Sequence, residues 1–359
     1  MKSGRASCPR QSSCRPMPAS RRSSEQDSFS NLVGDVLTRL SFRLRNFADF
    51  EWPEPSLRDT QANGVISMKF VSYNTQYGTG RDGVVDLARI ARAVDGADVI
   101  ALQEVERFSQ RTGMQDQPAL LAALLPGYHW VYGPGMDISA DVVAADGRIT
   151  QQRRQFGNML LSKTPILTAR NHLLPKMGTL VQFSLQRCAL EGVIVSTAGH
   201  ALRLYSVHLT HLDDSDRAPQ IEHLLHIHAS AFGAGAAWCG SGVNTGMTEG
   251  LPAMPMPREA VIMGDFNLTV ASALYARMVG PLSPLYGRMN VLDGFVDAWV
   301  AAGHPEAAGH TCHSDIFATE RRIDYCLVSS AHAGRIQRAW IDEQADGSDH
   351  QPIWTEIDL

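Results

Sequence analysis

Six short apolar runs, each bounded by an acid, an amide or an imidazole, constrain this chain more than any other feature. Met68–Asn74 ends on Asn74, and Asp98–Leu102 leads into Gln103-Glu104. Leu202–Leu209 carries His208, with His211 three residues on. Ala260–Met263 leads into Gly264-Asp265-Phe266-Asn267, Asp324 stands in the run Ile323–Val328, and Ser348-Asp349-His350 precedes Pro352–Ile357. Apolar runs of this length, set between turn residues, predict buried strands. Further strands are expected at Met159–Ser162 and Leu190–Val195, and helices at Val84–Val94, Gln117–Leu125 and Ala218–Phe232. Gly233–Pro257, crowded with Gly, Pro and Met, reads as a long mobile loop bordering the cleft. Strands and helices do not alternate regularly and no internal repeat is visible. That pattern predicts an α+β fold with packed sheets rather than repeated βα units.

A single Glu or His after a strand is usually a solvated turn residue. Six such termini on six segments are a different matter, because packed sheets can gather them. Hard cations such as Mg²⁺ or Mn²⁺ take carboxylate and amide oxygens, and Glu104, Asp349 and Asn74 offer them. Hydrolysis at phosphorus needs an oriented water, for which Asp265 is the candidate. Charge developing on phosphate oxygens needs donors, which His208, His350 and Asn267 can supply. A histidine used this way needs a carboxylate behind it, and Asp324 suits His350.

Ser72-Tyr73-Asn74, Leu102-Gln103-Glu104-Val105, Val207-His208-Leu209, Gly264-Asp265-Phe266-Asn267, Arg322-Ile323-Asp324-Tyr325 and Ser348-Asp349-His350 resemble, in order, the motifs of the endonuclease/exonuclease/phosphatase superfamily, the DNase I-like fold. The resemblance covers Met68–Leu359. It implies a four-layered α/β sandwich: two central, mostly antiparallel sheets flanked by helices. It also implies a divalent-metal phosphoesterase. Glu104, Asn74 and Asp349 then resemble metal-site residues, and Asp265 and Asn267 the pair that orients water and binds phosphate. His350 resembles the histidine held by Asp324, and His208 a second catalytic histidine. Whether Asp265 or His350 deprotonates the water stays open. Gln76 stands where abasic-site nucleases carry an acid, which turns the comparison toward phosphatase and phosphodiesterase branches.

Charge bears on the substrate. The net charge is −5, but residues 1–67 hold ten basic and seven acidic side chains, leaving 22 against 30 in the body. An acidic body disfavours gripping long nucleic acid. The expected substrate is a small or lipid-derived phosphodiester or phosphomonoester. The alternatives are a DNA or RNA nuclease of the same superfamily and, less favoured, a binding module that has lost catalysis. Arg153 or Arg154 could bind a phosphate, and His211 could reach substrate. His223, His226 and His228 read as solvated helix residues, because they lack the spacing of a zinc site.

Residues 1–67 read as an extension with an amphipathic helix over Asn31–Phe47, and Met68 as an alternative start of translation. No run of 18 apolar residues predicts a membrane span. None of the six cysteines forms a C-x-x-C pair, so a zinc ribbon is not expected, and scattered thiols suit the cytoplasm. A monomer is expected.

Overall fold

The computed structural model describes residues 66–240, 245–313 and 321–359; the helix expected at 31–47, and the rest of 1–65, lie outside them. Strand β1, Ser67–Asn74, shows how the layers arise. Successive side chains of a strand face opposite ways. Met68 and Phe70 therefore pack into one apolar cluster, while Val71 and Tyr73 pack into another. Both faces of the strand are covered.

Eleven further strands complete two sheets. They are β2 Val99–Arg107, β3 His129–Ser139, β4 Arg153–Ser162, β5 Thr168–Leu173, β6 Cys188–Val195, β7 Ala201–His208, β8 Ala260–Asp265, β9 Phe295–Asp297, β10 Asp324–Ser329, β11 Ile336–Ile341 and β12 Ile353–Asp358. The first sheet has the order β11-β12-β1-β2-β4-β3 and the second β9-β10-β8-β7-β6-β5. In the first, β1 and β2 are the one parallel pair; in the second, β7 and β8 are. Every other neighbouring pair is antiparallel. The two sheets therefore share one pattern of strand directions, a correspondence that no sequence repeat announces.

Phe70, Ala101 and Leu160 of the first sheet meet Leu190, Leu204, Val261, Met263 and Val328 of the second in the core between them. Helices α1 (Leu87–Ala93) and α2 (Gln117–Leu124) cover the outer face of the first sheet through Leu87, Ile90 and Leu121. Helices α3 (Asp214–Ala234) and α4 (Ala273–Val279) cover the second through Ile221, Leu224, Tyr275 and Met278. The result is the expected four-layered α+β sandwich. Helix α1 is shorter than its periodicity suggests. Val85 is held in a bridge to Thr79, and Asp86 caps the helix by accepting from Ala88 N at 2.9 Å. Helix α3 starts earlier than expected, because Asp213 caps it through Ser215 N at 2.8 Å.

Two expectations are corrected. Gln103-Glu104 does not end its strand: β2 runs on to Arg107, with a register shift between Leu102 and Val105. The described part of the long loop, residues 233–240 and 245–257, does not border the cleft. Its ends are anchored elsewhere, where Ala236 and Met256 are buried with Val193 and Ala231, and Arg170 Nη2 donates to Ala236 O at 3.0 Å. None of its described residues lines the cleft. Among the described residues no helix is long and apolar enough to cross a membrane. Cys188, Cys239, Cys312 and Cys326 are free thiols.

Candidate active site

The inner face of each sheet is apolar along most of its length and polar at one end. In β1 the inward series Met68, Phe70 continues as Ser72 and Asn74; in β8 the series Val261, Met263 continues as Asp265. Strand register brings these ends together. Asn74 pairs with Gln103 across the first parallel pair, and Asp265 with His208 across the second. Asp324 lies opposite Asp265 on the antiparallel strand β10. Gln103 Nε2 donates to Ser206 Oγ at 3.0 Å and Asn158 Nδ2 to Ser206 O at 2.9 Å, so polar bonds tie the two sheets just beneath the site.

Glu104 reaches the same place by a bulge. Val99, Ala101 and Gln103 share one parity, so an uninterrupted strand would turn Glu104 toward the helices. Instead Glu104 takes φ +60°, and Val105 beyond it packs in the helix-side cluster. The inserted residue reverses the alternation, and the Glu104 carboxylate accepts from Asn74 Nδ2 at 3.4 Å.

Asp265 is the centre of the network. Its Oδ2 accepts from Asn74 Nδ2 at 3.0 Å and from Asn267 Nδ2 at 3.2 Å, and its Oδ1 from Asn267 N at 2.8 Å. Asn267 bends back through φ +53°, a conformation that Asn tolerates. His208 Nε2 and His350 Nε2 stand 3.3 and 3.9 Å from Asp265 Oδ2. Burial and the neighbouring Asp324 carboxylate push the Asp265 pKa up, to about 7.

The two imidazoles are driven in opposite directions. Burial opposes the protonated form of His350, yet Asp324 Oδ2 at 2.8 Å from Nδ1 overrides it and raises the pKa well above the usual histidine value. For His208, burial and then the Arg187 guanidinium hold the pKa well below that value. Arg187 Nη1 donates to His208 Nδ1 at 2.9 Å, and its Nη2 to His211 Nδ1 at 3.4 Å. A guanidinium only donates, so it leaves the proton of neutral His208 on Nε2, toward Asp265. Ser348 Oγ donates to Asn74 O at 2.7 Å and accepts from His350 N at 3.1 Å, placing the last motif beside the first.

These groups open into a cleft of about 490 Å³. Asn74, Glu104, Arg154, His208, His211, Asp265, Asn267, Asp349 and His350 all line it, and Asp324 stands directly behind His350. Of the two neighbouring arginines, Arg154 faces the cleft, whereas Arg153 pairs with Asp137 at 2.8 Å. His228 is not a solvated residue. Its Nδ1 accepts from the buried Arg203 at 2.9 Å, and its ring packs on Phe295. Sequence reasoning missed Arg187, Arg111, Tyr77, Phe156 and Phe183. The only signal for Arg187 was an arginine standing directly before a buried strand.

The donor set fits a divalent cation. Glu104 and Asp349 face one cleft and repel each other. Burial raises the Glu104 pKa and Asp349 raises it further, while Arg187 and His350 oppose this. Two neighbouring acids with hard oxygens are a setting in which a bound cation relieves repulsion. Asn74 turns Nδ2 to the carboxylates, and its Oδ1 accepts from Gln76 N at 3.1 Å. Asp265, Asp324 and His350 form the one described group of three or more such side chains with mutually close ligand atoms, but Asp324 is already engaged by His350 Nδ1.

The endonuclease/exonuclease/phosphatase family model matches residues 71–350, nearly the whole span of both sheets. The chain belongs to this family. Members are hydrolases of phosphoester bonds, generally dependent on a divalent metal. Among solved structures, an endonuclease/exonuclease/phosphatase from Beutenbergia cavernae DSM 12333 is 20% identical, with 82% of this chain and 72% of that one covered and a TM-score of 0.53. A family protein from Leptotrichia buccalis C-1013-b is 16% identical, with coverages of 81% and 100% and a TM-score of 0.54. A functionally unknown conserved protein from Enterococcus faecalis V583 is 17% identical, with coverages of 80% and 98% and a TM-score of 0.52. At these identities the likeness is one of fold. No curated protein matches the chain significantly.

Proposed function

We propose that this family member is a divalent-metal-dependent phosphoesterase that hydrolyses a small or lipid-derived phosphodiester or phosphomonoester by in-line attack of water. The arrangement around Asp265 carries this reading: a buried carboxylate, held by three hydrogen bonds, between one imidazole kept neutral and another kept protonated. Opposed protonation of neighbouring groups is what acid–base chemistry at one centre requires. Glu104 and Asp349 would hold Mg²⁺ or Mn²⁺, with Asn74 positioning Glu104 through its Nδ2 rather than offering an oxygen. The cation supplies Lewis-acid polarisation of the scissile phosphate.

Asp265 orients the water and accepts its proton. His350, with Asp324 fixing Nδ1, presents Nε2–H to the phosphate oxygens. His208 presents its own Nε2–H, and Asn267 keeps Asp265 from rotating. Arg154 and His211 contact the substrate. The cations of the cleft are few and partly spent, since Arg111 is bonded to Glu106 at 2.6 Å. That, with the acidic body, favours a small substrate over a long polyanion.

The test is release of p-nitrophenol from bis-p-nitrophenyl phosphate by the chelator-treated protein, with and without Mg²⁺ or Mn²⁺. Turnover should appear with metal and fall about 10²–10⁴-fold in Asp265→Ala, with an unchanged circular dichroism spectrum. No turnover on phosphodiesters or monoesters with either metal would overturn the reading. Cleavage of oligonucleotides at far higher kcat/KM, falling steeply with salt, would favour a nuclease.

A further inference from the structure

The segment between β5 and β6, residues 174–187, holds Lys176 and Arg187 and no acidic residue. It has no regular secondary structure, yet it is tied down by its own polar groups. Leu174 is buried, and Met177 N donates to Asp216 Oδ1 at 3.0 Å. Gln186 Nε2 donates to Leu174 O at 2.6 Å, Ser184 Oγ to Met177 O at 2.8 Å, and Thr179 Oγ1 to Gln182 O. Beside the exposed Lys176 and Gln182, this organised loop leaves large apolar side chains in water: Leu180 is 103% exposed, Val181 86% and Phe183 70%.

The apolar surface is continuous with the catalytic cleft. Phe183 and Leu185 line the cleft, and the Phe183 ring stacks with His211. Met136 and Phe156 of β3 and β4 also line the cleft. The ribbon made by those strands leads to the hairpin Val142–Val143/Ile149–Thr150, where Val142, Val143 and Ile149 are again exposed. The loop stem crosses this ribbon at close range: a Cβ on Gly135 would lie 2.4 Å from Gln186 O. The loop thus brings an apolar surface to the edge of one polar, phosphate-directed cleft.

We propose that this rim seats the cleft on a lipid surface, and that the substrate is a phosphoester carried by a membrane lipid. The inference rests on the phosphoesterase reading above and narrows its substrate class. A bilayer fits better than a protein partner. The loop ties down several of its polar groups and presents the aliphatic and aromatic side chains Leu180, Val181 and Phe183, with an exposed Lys176 beside them. That composition suits an acyl boundary under anionic phosphate headgroups. A protein interface would also use directional polar contacts.

The test compares the full chain with its Leu180→Ser/Val181→Ser variant in co-sedimentation with phosphatidylcholine–phosphatidylglycerol vesicles. Both side chains face solvent, so the variant should fold and keep its turnover of soluble bis-p-nitrophenyl phosphate. Its vesicle partition should drop about tenfold or more. Residues 31–47 are present in both proteins, so the difference reports on the loop. Equal partition of the two proteins, or no vesicle binding by the parent chain, would overturn the proposal. Failure of the parent chain to hydrolyse the soluble ester would count against the phosphoesterase reading, separately from the vesicle result.

Discussion

Arg187 governs two histidines at once. It is buried, its Nη1 and Nη2 donate to His208 and His211, and its charge depresses both imidazole pKa values in addition to burial. Replacing it with Met removes the positive neighbour, so the His208 pKa should rise toward the ordinary value. His208 should then take up its proton at higher pH, which the NMR titration profile of its imidazole reads directly, since the acid limb of turnover belongs to Asp265. Turnover should fall about tenfold or more, with partial rescue in Arg187→Lys. A profile that stays in place would make Arg187 a packing residue only. At this scale much was legible. Asn74, Glu104, His208, Asp265, Asn267, Asp349 and His350 announce themselves because charged and amide side chains are rare beside apolar runs. Arg187 did not, because an arginine before a strand is ordinarily a surface residue.

Elements decide where such residues point. Glu104 needs the bulge in β2. Period-2 alternation alone would send it toward α1 and α2, and nothing in Leu102-Gln103-Glu104-Val105 marks the extra residue. The long helix α3 shows the reverse. Its apolar stripe was plain, but the partner of His228 was not, since Arg203 lies on a strand 25 residues away. Burial and then Arg203 lower the His228 pKa from 6.5 to about 4.

The unfolded chain takes up this proton as pH falls through about 6.5, while the folded chain resists until about 4. Stability from this group is therefore complete above that window and is lost going down through it, by up to about 3 kcal/mol. His228→Asn should flatten that part of the stability curve. Urea unfolding at pH 7 and near pH 4.5, on both proteins, is the measurement. Parallel losses would show that His228 does not titrate this way.

Across the whole molecule, the site exists because two sheets with the same pattern of strand directions face each other. The C-terminal ends of their central parallel pairs carry Asn74, His208 and Asp265, with Glu104 just past Gln103. Every described residue that lines the cleft lies beyond Met68. We therefore expect a protein beginning at Met68 to keep the soluble-ester turnover of the full chain. A loss of more than about tenfold, with the fold intact by circular dichroism, would assign residues 1–67 a part in catalysis.

By its own patterning the sequence determined the main elements, the α+β class with packed sheets and the roster of polar strand ends. Those follow from local alternation and from the cost of burying polar groups, which are properties of neighbouring residues. Only the tertiary structure decided which ends meet, which way Glu104 turns, and that Arg187 rather than an acid stands behind His208. It also put Phe183 and Leu185, and no described residue of the Gly- and Met-rich loop, at the cleft. Those are contacts between residues far apart in the chain, set by sheet register and packing, and no local pattern encodes them.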